Sequence, residues 1–371
     1  MRIGILTLPL HTNYGGILQA YALQTVLERM GHEVVVFDEP IRQQETKIKT
    51  IVKRIIKKCL GRPTTVFWEK YFYTSYPTIS RNIQPFIDKY LHRKVVESPY
   101  MLQEEDYDAI VVGSDQIWRP KYFVHIENAY LNFAKDWESL KRIAYAPSFG
   151  TDSWEYTPEL TKECSSLLKK FDAVSVREQS GINLCKEYLG VAPQLVLDPT
   201  MLLSKDDYCK LIDEANPENH KGNLLDYVLD NSDSISSLIS YISGERNIRP
   251  FSVNGKPFTE GTKAEDCVKL SIESWLKGFQ DADFVVTDSF HACVFSMIFN
   301  KPFCVVGNKT RGIARFDSLL KIFHQEYRLI ENVEQYKNNV TSIKKSPNVN
   351  FEDLNIKRKS LDFLKNALIS Q

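Results

Sequence analysis

The sequence predicts an α/β protein with two doubly wound parallel sheets that face a common cleft. Short β-branched runs alternate with segments of helical period along the chain, a pattern typical of strand–helix crossovers and parallel sheets. The length of 371 residues exceeds what one hydrophobic core usually supports, which favours two domains. The segment Leu197-Asp198-Pro199-Thr200 interrupts the pattern, and a second strand–helix series follows it.

The first series predicts an N-terminal, Rossmann-like domain over residues 1–198. We expect its strands at residues 2–6, 33–37, 109–113, 142–146 and 173–176, and its helices at about 16–30, 158–169 and 178–189. Residues from about 40 to 105 interrupt this series with a basic helical segment and then an aromatic cluster. We therefore predict a helical insertion there.

The second series predicts a Rossmann-like domain over residues 199–340, followed by a C-terminal tail and helix over 341–371. Its strands are expected at residues 223–229, 249–253, 284–287 and 303–306, and its helices at about 232–243, 273–279, 289–299 and 315–323. Ligands of open α/β sheets bind beyond the carboxyl ends of the strands. Candidate site residues should therefore follow strands.

Composition and charge exclude several classes of protein. Hydrophobic residues make up 43% and charged residues 25% of the chain, as in an ordinary soluble globular protein. The 47 Lys and Arg equal the 47 Asp and Glu, which argues against attraction of the whole protein to nucleic acid. The seven cysteines are scattered without Cys-x-x-Cys spacing, so we predict reduced thiols and no metal site. With no signal peptide or membrane span in the sequence, we expect a cytoplasmic protein.

The segment that follows the first strand contains Asn13, Tyr14, Gly15 and Gly16. Two glycines at the start of a helix leave backbone N–H groups open to an anion or a sugar hydroxyl, so we predict that these four residues bind substrate. Alternatively, the glycines form only a tight strand-to-helix turn. The Gly-x-Gly-x-x-Gly fingerprint is absent, which argues against an NAD-dependent enzyme.

The strand at 109–113 leads into Ser114, Asp115, Gln116 and Trp118. A carboxylate and an amide can bridge sugar hydroxyls while an indole stacks on a sugar ring, so these residue types favour sugar binding. The alternative is that Ser114 and Asp115 only cap a turn.

Arg177 ends the strand at 173–176 and is followed by Glu178. A guanidinium at this place offers two parallel donors to a carboxylate or a phosphate. The alternative is a structural salt bridge between neighbouring side chains.

The strand at 284–287 ends in Asp288 and Ser289, and His291 lies in the first turn of the next helix. A histidine beside a helix N-terminus can contact a phosphate or act as an acid or base. Arg311 and Arg315 supply further cations downstream. These two arginines are candidate anion ligands, and the alternative is an exposed basic loop.

Residues 47–60 form a basic amphipathic pattern. Five apolar residues share one face and six lysines and arginines surround it: Ile48, Ile51, Val52, Ile55 and Ile56, with Lys47, Lys49, Lys53, Arg54, Lys57 and Lys58. Such a helix can lie on an anionic membrane near a lipid-linked acceptor. Alternatively, it packs its apolar face on its own domain.

Five segments carry a family resemblance together: residues 13–23, 113–118, 175–178, 197–200 and 287–291. In their order and spacing, over about 1–306, they resemble the polysaccharide pyruvyl transferase family. The resemblance implies a glycosyltransferase-B-like pair of Rossmann-like domains, the first for the acceptor and the second for the donor. It also implies transfer of pyruvyl from phosphoenolpyruvate to a sugar hydroxyl pair, forming a ketal in surface or exopolysaccharide biosynthesis, with no further cofactor.

The resemblance also implies roles for single residues. His291 matches the family's C-terminal histidine and would bind the phosphate or act as general acid, and Asp115 would be the base. Arg177 would clamp the anion, with Arg311 and Arg315 in reserve. The sugar would face Asn13, Gln116 and Trp118 besides Asp115.

The C-terminal motif departs from the family. Ser289-Phe290-His291 stands where many members have Arg-Leu-His, so either another arginine binds the phosphate or the donor differs. Two other readings therefore stay open. One is a nucleotide-sugar glycosyltransferase of the same fold, with His291 and Arg311 on a diphosphate. The other is a carbohydrate-binding relative without catalytic activity.

Overall fold

Two parallel sheets organise the protein, which confirms the predicted fold class. The computed structural model describes residues 1–43, 45–62, 64–307, 312–349 and 354–369. The first sheet has the strand order β3-β2-β1-β4-β5-β6-β7, and the second has the order β12-β11-β10-β8-β9. Every strand pair in both sheets is parallel.

The first sheet consists of β1 (Arg2–Leu6), β2 (Glu33–Asp38), β3 (Arg93–Val95), β4 (Ala109–Gly113), β5 (Lys141–Tyr145), β6 (Ala173–Val176) and β7 (Gln194–Leu195). The second consists of β8 (Leu224–Tyr227), β9 (Pro250–Ser252), β10 (Phe284–Thr287), β11 (Phe303–Val306) and β12 (Leu329–Ile330). The central strands β4, β10 and β11 are buried at every residue. Such continuous apolar runs are expected where helices cover both faces of a parallel sheet.

The helices are α1 (Tyr14–Arg29), α2 (Ile48–Cys59), α3 (Trp68–Ser80), α4 (Gln84–Tyr90), α5 (Pro158–Leu168), α6 (Gln179–Leu184), α7 (Lys205–Ala215), α8 (Asp233–Arg246), α9 (Ile272–Asp281), α10 (Phe290–Ile298), α11 (Ala314–Ile322), α12 (Val333–Ile343) and α13 (Asn355–Ile369). A π-helical turn, Cys185–Leu189, continues α6. Helices α2 to α4 form the predicted insertion. None of the described helices is long and apolar enough to cross a membrane.

Several boundaries differ from the predictions for local reasons. Strand β5 ends at Tyr145 because Ala146 has a φ of 57°, which no extended strand accommodates. Helix α1 begins at Tyr14 because Asn13 is extended and acts as its N-cap. Strand β3 was missed inside the insertion, where it adds an edge to the first sheet.

The two sheets share one hydrophobic core. Tyr14, at the start of α1, stacks on Trp275 of α9, with ring centroids 5.5 Å apart. The C-terminal helix α13 returns to the first sheet, where the Ser360 hydroxyl accepts a hydrogen bond from the Leu197 amide. In sequence, the first sheet ends with β7 and the second begins with β8. The domain limits 1–198, 199–340 and 341–371 stay predictions.

Candidate functional site

The carboxyl ends of the two sheets bring a set of charged side chains together, which we call the charge cluster. From the first sheet come residues that follow β4, β6 and β7, and from the second sheet come residues of α10 and α11. The members are Asp115, Arg177, Glu178, Asp198, His291 and Arg315. All six are buried. Because charged residues are almost never buried without partners, we expect these side chains to pair with one another.

Arg177 lies at the centre of the charge cluster. Its Nη1 donates to Asp198 Oδ2 at 2.6 Å, and its Nη2 donates to Asp115 Oδ1 at 3.1 Å. Its Nε lies 3.7 Å from Glu178 Oε2. Because three carboxylates surround this side chain, which is 1% exposed, its charge is already compensated. The structure therefore argues against the prediction that Arg177 clamps a substrate anion and favours a role in holding the carboxylates in place.

Asp198 joins the two halves of the charge cluster. Its Oδ2 accepts from the Ser114 hydroxyl at 2.9 Å, and its Oδ1 accepts from the Thr200 amide and hydroxyl. His291 Nε2 lies 3.7 Å from Asp198 Oδ2. Burial alone would raise the pKa of Asp198, but the charges of His291 and Arg177 outweigh burial and lower it. The sequence did not predict Asp198 as a site residue. The segment Leu197-Asp198-Pro199-Thr200 was interpreted only as the boundary between the two strand–helix series.

Asp115 is held on every side. Its backbone has a φ of 63°, and its carbonyl oxygen accepts from the Ser148 amide at 2.8 Å. Its Oδ1 accepts from Arg177, and its Oδ2 accepts from the Asn13 Nδ2 at 3.2 Å. Burial raises the pKa of Asp115, but the charges of Arg177, His291 and Arg315 outweigh burial and lower it. A carboxylate with a lowered pKa is a weak general base, so this placement argues against the predicted role of Asp115.

His291 enters the charge cluster from the second sheet, in the first turn of α10. A Cβ on Gly15 would lie 2.1 Å from His291 Nδ1, so the imidazole packs directly on the backbone of Gly15. This close approach explains why a glycine is required at the start of α1. The glycine segment and His291, predicted separately, thus meet across the two sheets.

Phe290 connects the arginines of the two sheets. The guanidinium carbon of Arg177 lies 4.4 Å from the centre of the Phe290 ring, and that of Arg315 lies 5.6 Å from it. Burial and the nearby charge of Arg177 lower the pKa of Arg315 to about 10, so Arg315 stays protonated at neutral pH. Arg315 thus lies beside the motif in which the family's arginine is replaced. Arg311, the other reserve cation, lies outside the described residues.

Several polar atoms of the charge cluster, among them Arg177 Nε, Glu178 Oε2 and His291 Nε2, have no hydrogen-bond partner among the described residues. Glu178 Oε1 accepts from the Phe149 amide at 3.2 Å, while burial raises the pKa of Glu178. Buried polar atoms without partners cost free energy. Their concentration between two sheets is therefore typical of a site that a ligand completes.

Three predicted substrate-binding residues have other roles. Trp118 is fully buried, stacks on Tyr130 and donates its indole N–H to the Ala129 carbonyl, so it cannot stack on a sugar. Tyr14 donates its hydroxyl to the Leu270 carbonyl and packs between the sheets. Both Asp288 oxygens accept from backbone amides of the loop that follows β8. These three predictions were wrong because each side chain has its partners within the fold.

The remaining predicted residues lie at the edge of the charge cluster. A Cβ on Gly16 would lie 3.1 Å from Asn13 Nδ2, so Gly16 makes room for the amide that binds Asp115. The half-buried Gln116 approaches Gly150 closely enough to exclude a side chain there. Ser289 is the half-buried N-cap residue of α10. Their contact with a substrate stays a prediction.

A cleft of about 1170 Å³ opens beside the charge cluster at the same edge of the first sheet. Its walls come from α3 and from the loops after β1, β2, β3 and β4, and it is rich in aromatic and acidic side chains. These are Trp68, Phe72, Tyr76, Tyr100, Tyr122, Phe123, Glu39, Glu69, Glu97 and Glu127. We call it the aromatic cleft. A second cavity, of about 700 Å³, lies at α13, away from the charge cluster.

The segment after β1 connects the aromatic cleft to the charge cluster. His11 lines the cleft, and its ring meets Tyr76 edge-on at 5.9 Å. Its Nε2 is buried and has no hydrogen-bond partner among the described residues. Two residues later, Asn13 donates to Asp115. The same segment therefore lines the cleft and contacts the charge cluster.

No set of three His, Cys, Asp or Glu side chains in the described part of the chain is placed to hold a metal ion.

The fold is similar to that of a UDP-GlcNAc 2-epimerase from Neisseria meningitidis bound to UDP-GlcNAc, with a TM-score of 0.50, 9% identity and 100% of both chains covered. It is also similar to an S. aureus MnaA–UDP complex, with a TM-score of 0.51, 10% identity, and 99% of this chain and 96% of that chain covered. At these identities, the likeness shows the glycosyltransferase-B-like fold alone.

Sequence comparison gives the family. No curated protein matches the chain. A family model described as polysaccharide pyruvyl transferase matches residues 13–310, which include Asn13, Asp115, Arg177, Asp198 and His291. The match includes all strands of the two sheets except β1 and β12, and it includes all the segments that carried the resemblance. The chain therefore belongs to the polysaccharide pyruvyl transferase family.

Proposed function

We propose that the protein transfers the pyruvyl group of phosphoenolpyruvate to two hydroxyls of one sugar, forming a ketal, in the biosynthesis of a surface polysaccharide or exopolysaccharide. The observation that carries the proposal is the charge cluster. In a chain of this family, it brings His291 from one sheet against Asp198 and Gly15 from the other, and polar atoms such as His291 Nε2 have no hydrogen-bond partner among the described residues. The donor itself carries the transferred group, so the proposed reaction requires no resident cofactor.

Phosphoenolpyruvate carries a phosphate and a carboxylate, and both need cations or N–H donors. Arg315 is the cation that we assign to the donor, because Arg177 is already surrounded by carboxylates. It would replace the arginine that the Ser289-Phe290-His291 motif lacks. His291 Nε2, which has no hydrogen-bond partner among the described residues, would face the donor.

The reaction adds one proton to the donor's methylene carbon and removes one proton from each of two sugar hydroxyls. An acid adds a proton to the methylene carbon of phosphoenolpyruvate, and the oxygen of the first sugar hydroxyl bonds to C2. The second hydroxyl then displaces phosphate from C2, so that two C–O bonds form and one C–O bond breaks. One hydroxyl proton makes up for the proton that the acid gave to the methylene carbon, which becomes a methyl group. The other hydroxyl proton leaves with inorganic phosphate. A positioned acid or base accelerates each of these proton transfers.

We assign the acid to His291 and the base to Glu178. Burial raises the pKa of Glu178, and a carboxyl with a raised pKa exchanges protons nearer to neutral pH. Asp115 then acts as a positioning residue, since both of its carboxylate oxygens are bound by Arg177 and Asn13. Asp198 would hold the imidazole in place from 3.7 Å.

The aromatic cleft is the proposed site of the sugar acceptor. Ring faces of Trp68, Tyr100 and Tyr122 can stack on sugar rings, while the carboxylates of the same cleft can accept from sugar hydroxyls. The position of the cleft beside Asn13 would direct the terminal sugar toward the charge cluster. The proposal extends to a lipid-linked acceptor, because the basic helix α2 lies beside α3, which forms one wall of the cleft.

The test is an assay of the purified protein with phosphoenolpyruvate and a panel of saccharide acceptors. We expect release of inorganic phosphate together with an acceptor that gains the mass of one pyruvyl ketal. His291→Ala should abolish turnover while the unfolding temperature stays near that of wild type. His92→Ala is the matched control, because His92 is exposed and lies outside the charge cluster, and it should leave the rate unchanged.

Three results would contradict the proposal. Near wild-type turnover by His291→Ala would remove this residue from the mechanism. Saturable binding of a nucleotide sugar, with no response to phosphoenolpyruvate, would move the protein to the glycosyltransferases. Sugar binding without turnover of either donor would indicate a carbohydrate-binding protein without catalytic activity.

A further inference from the structure

Helix α2 leaves its apolar side chains in solvent. No residue of the helix is buried, and Ile48, Val52, Ile55 and Ile56 are exposed by 79%, 50%, 45% and 54%. Among the described residues, eight of the seventeen exposed large apolar or aromatic side chains lie between residues 48 and 73. Exposed apolar side chains concentrated in one segment of a globular protein mark an interaction site.

The orientation of α2 is fixed by its other side. The half-buried residues of the helix are Thr50, Ile51 and Arg54. Arg54 Nη1 binds Glu69 Oε2 at 2.7 Å, and its Nε binds Glu260 Oε1 at 3.0 Å. At 3.6 residues per turn, this side points away from Val52 and Ile56. The apolar face is therefore turned outward, which contradicts packing of the stripe on its own domain.

The charges around the exposed face have a single sign. Lys47, Lys49, Lys53, Lys57 and Lys58 are all exposed, and residues 46–62 contain no aspartate or glutamate. Lysines at the borders of an apolar face can reach lipid phosphates while the apolar side chains enter the headgroup region. A nucleic acid or an acidic protein would engage the lysines and leave the isoleucines in water.

We propose that α2 docks the protein on an anionic membrane surface. Ile48, Val52, Ile55 and Ile56 enter the boundary between headgroups and acyl chains, and the surrounding lysines bind lipid phosphates. The contact is peripheral and goes beyond pyruvyl transfer, since it requires only the exposed helix. Arg54 holds α2 to Glu69, which lines the aromatic cleft. Docking through α2 therefore brings the cleft near the headgroups, where the sugar of a lipid-linked acceptor lies.

The test measures co-sedimentation of the full chain with vesicles of phosphatidylcholine that contain about one third phosphatidylglycerol, and with vesicles of phosphatidylcholine alone. We expect binding to the anionic vesicles that weakens with added salt. Ile56→Asp should lower the partition coefficient more than about tenfold, because several buried methylenes are lost. Reversal of Lys49, Lys53 and Lys57 to Glu should lower it at least about a hundredfold, at about fivefold or more for each lysine.

Matched controls separate the helix from general effects of charge. Ile369→Asp changes an isoleucine on α13 that is 77% exposed, against 54% for Ile56, and reversal of the exposed Lys162, Lys186 and Lys365 to Glu gives the same change of net charge as the lysine reversal on α2. Both controls should bind anionic vesicles like wild type. All variants should keep the wild-type unfolding temperature, since the substituted side chains are exposed.

Two outcomes would overturn the proposal. One is a wild-type protein that does not bind the anionic vesicles. The other is vesicle binding that Ile56→Asp and the lysine reversal leave unchanged. Binding of a duplex DNA oligonucleotide that depends on the lysines but not on Ile56, together with absent vesicle binding, would assign the helix to nucleic acid. Pyruvyl transfer to a soluble acceptor is measured in parallel, so a failure of membrane docking is distinct from a failure of the proposed reaction.

Discussion

Two arginines, three carboxylates and one histidine share a buried space between the sheets, so the charge of each depends on the others. Arg177 directly compensates Asp115 and Asp198. Burial instead raises the pKa of Glu178, because the attraction of Arg177 does not repay the loss of water. The pKa of Glu178 is therefore shifted in the opposite direction from those of Asp115 and Asp198. A difference of this kind between neighbouring carboxyls is the reason for proposing Glu178, and not Asp115, as the base.

The first prediction concerns the contact between Gly15 and His291. Gly15→Ala places a methyl group within 2.1 Å of the His291 ring, so the imidazole must leave its place beside Asp198. We expect turnover to fall at least about a hundredfold, since a displaced catalytic group loses its alignment. The rate of pyruvyl transfer under saturating substrate measures this effect.

Gly244→Ala in α8 serves as the control for Gly15→Ala. A Cβ on Gly244 meets no atom within 4 Å, and alanine is favoured over glycine in a helix by about 0.5–1 kcal/mol. This variant should be slightly more stable than wild type and fully active. Unchanged turnover in Gly15→Ala would show that the packing of His291 on α1 has no part in the reaction.

Sequence reasoning located the ends of the strands that carry the site, but it did not give the role of each side chain. His291, Asp115 and Arg177 lie in one cluster, as their positions after apolar strands indicated. The roles depend on partners that are distant in sequence: Arg177 meets Asp115 and Asp198, and the Trp118 indole finds a carbonyl in the following loop. Residue type and position after a strand do not reveal such partners.

At the level of elements, the junction of α1 and α7 depends on Asp207. The Arg29 guanidinium donates twice to the Asp207 carboxylate, at 2.7 and 3.1 Å. Ser204 and Asp207 also form a reciprocal capping box at the start of α7. Burial raises the pKa of Asp207, but the hydrogen bonds from Arg29 and Ser204 outweigh burial and lower it to about 2.

Asp207→Ala should therefore destabilise the protein in a pH-dependent way. Since the pKa of Asp207 is lower in the folded state, the stabilisation is present above the unfolded value of about 4 and is lost as the pH falls toward 2. We expect a loss of about 1–2 kcal/mol in the free energy of unfolding at pH 7 and a smaller loss at pH 3. Urea titrations at the two pH values measure both losses.

Asp206→Ala is the neighbouring control, because Asp206 is exposed in the same helical turn. Its effect should stay below about 0.5 kcal/mol, as for an exposed residue at a helix N-terminus. An equal loss in both variants, or a loss in Asp207→Ala that does not depend on pH, would contradict the assigned role of the carboxylate.

Elements with strong apolar runs could be predicted from the sequence, and short or edge elements could not. Strands β1, β4 and β10 were predicted to the residue, since each consists mainly of buried apolar residues in one short run. Strand β3 has three exposed residues, and β12 has only two residues. Their pairing arises from the sheet that they join, and not from their own pattern.

At the level of the whole molecule, one apolar core connects the two sheets. It contains Ile5 and Tyr145 of the first sheet together with Val285 of the second sheet and Trp275 of α9. Domains joined by a small polar interface move and unfold separately, whereas a large apolar interface couples them. We therefore expect a single cooperative unfolding transition for the whole chain.

Tyr14→Ala tests this coupling, because Tyr14 stacks on Trp275 and donates its hydroxyl to the Leu270 carbonyl. Loss of a buried aromatic ring should lower the free energy of unfolding by about 3–5 kcal/mol and split the calorimetric transition into two. Tyr14→Phe keeps the stacked ring and loses only one hydrogen bond, so it should cost about 1 kcal/mol and keep a single transition. If Tyr14→Ala also unfolds in one transition, the coupling is spread over other residues of the core, and the start of α1 is not the joint between the sheets.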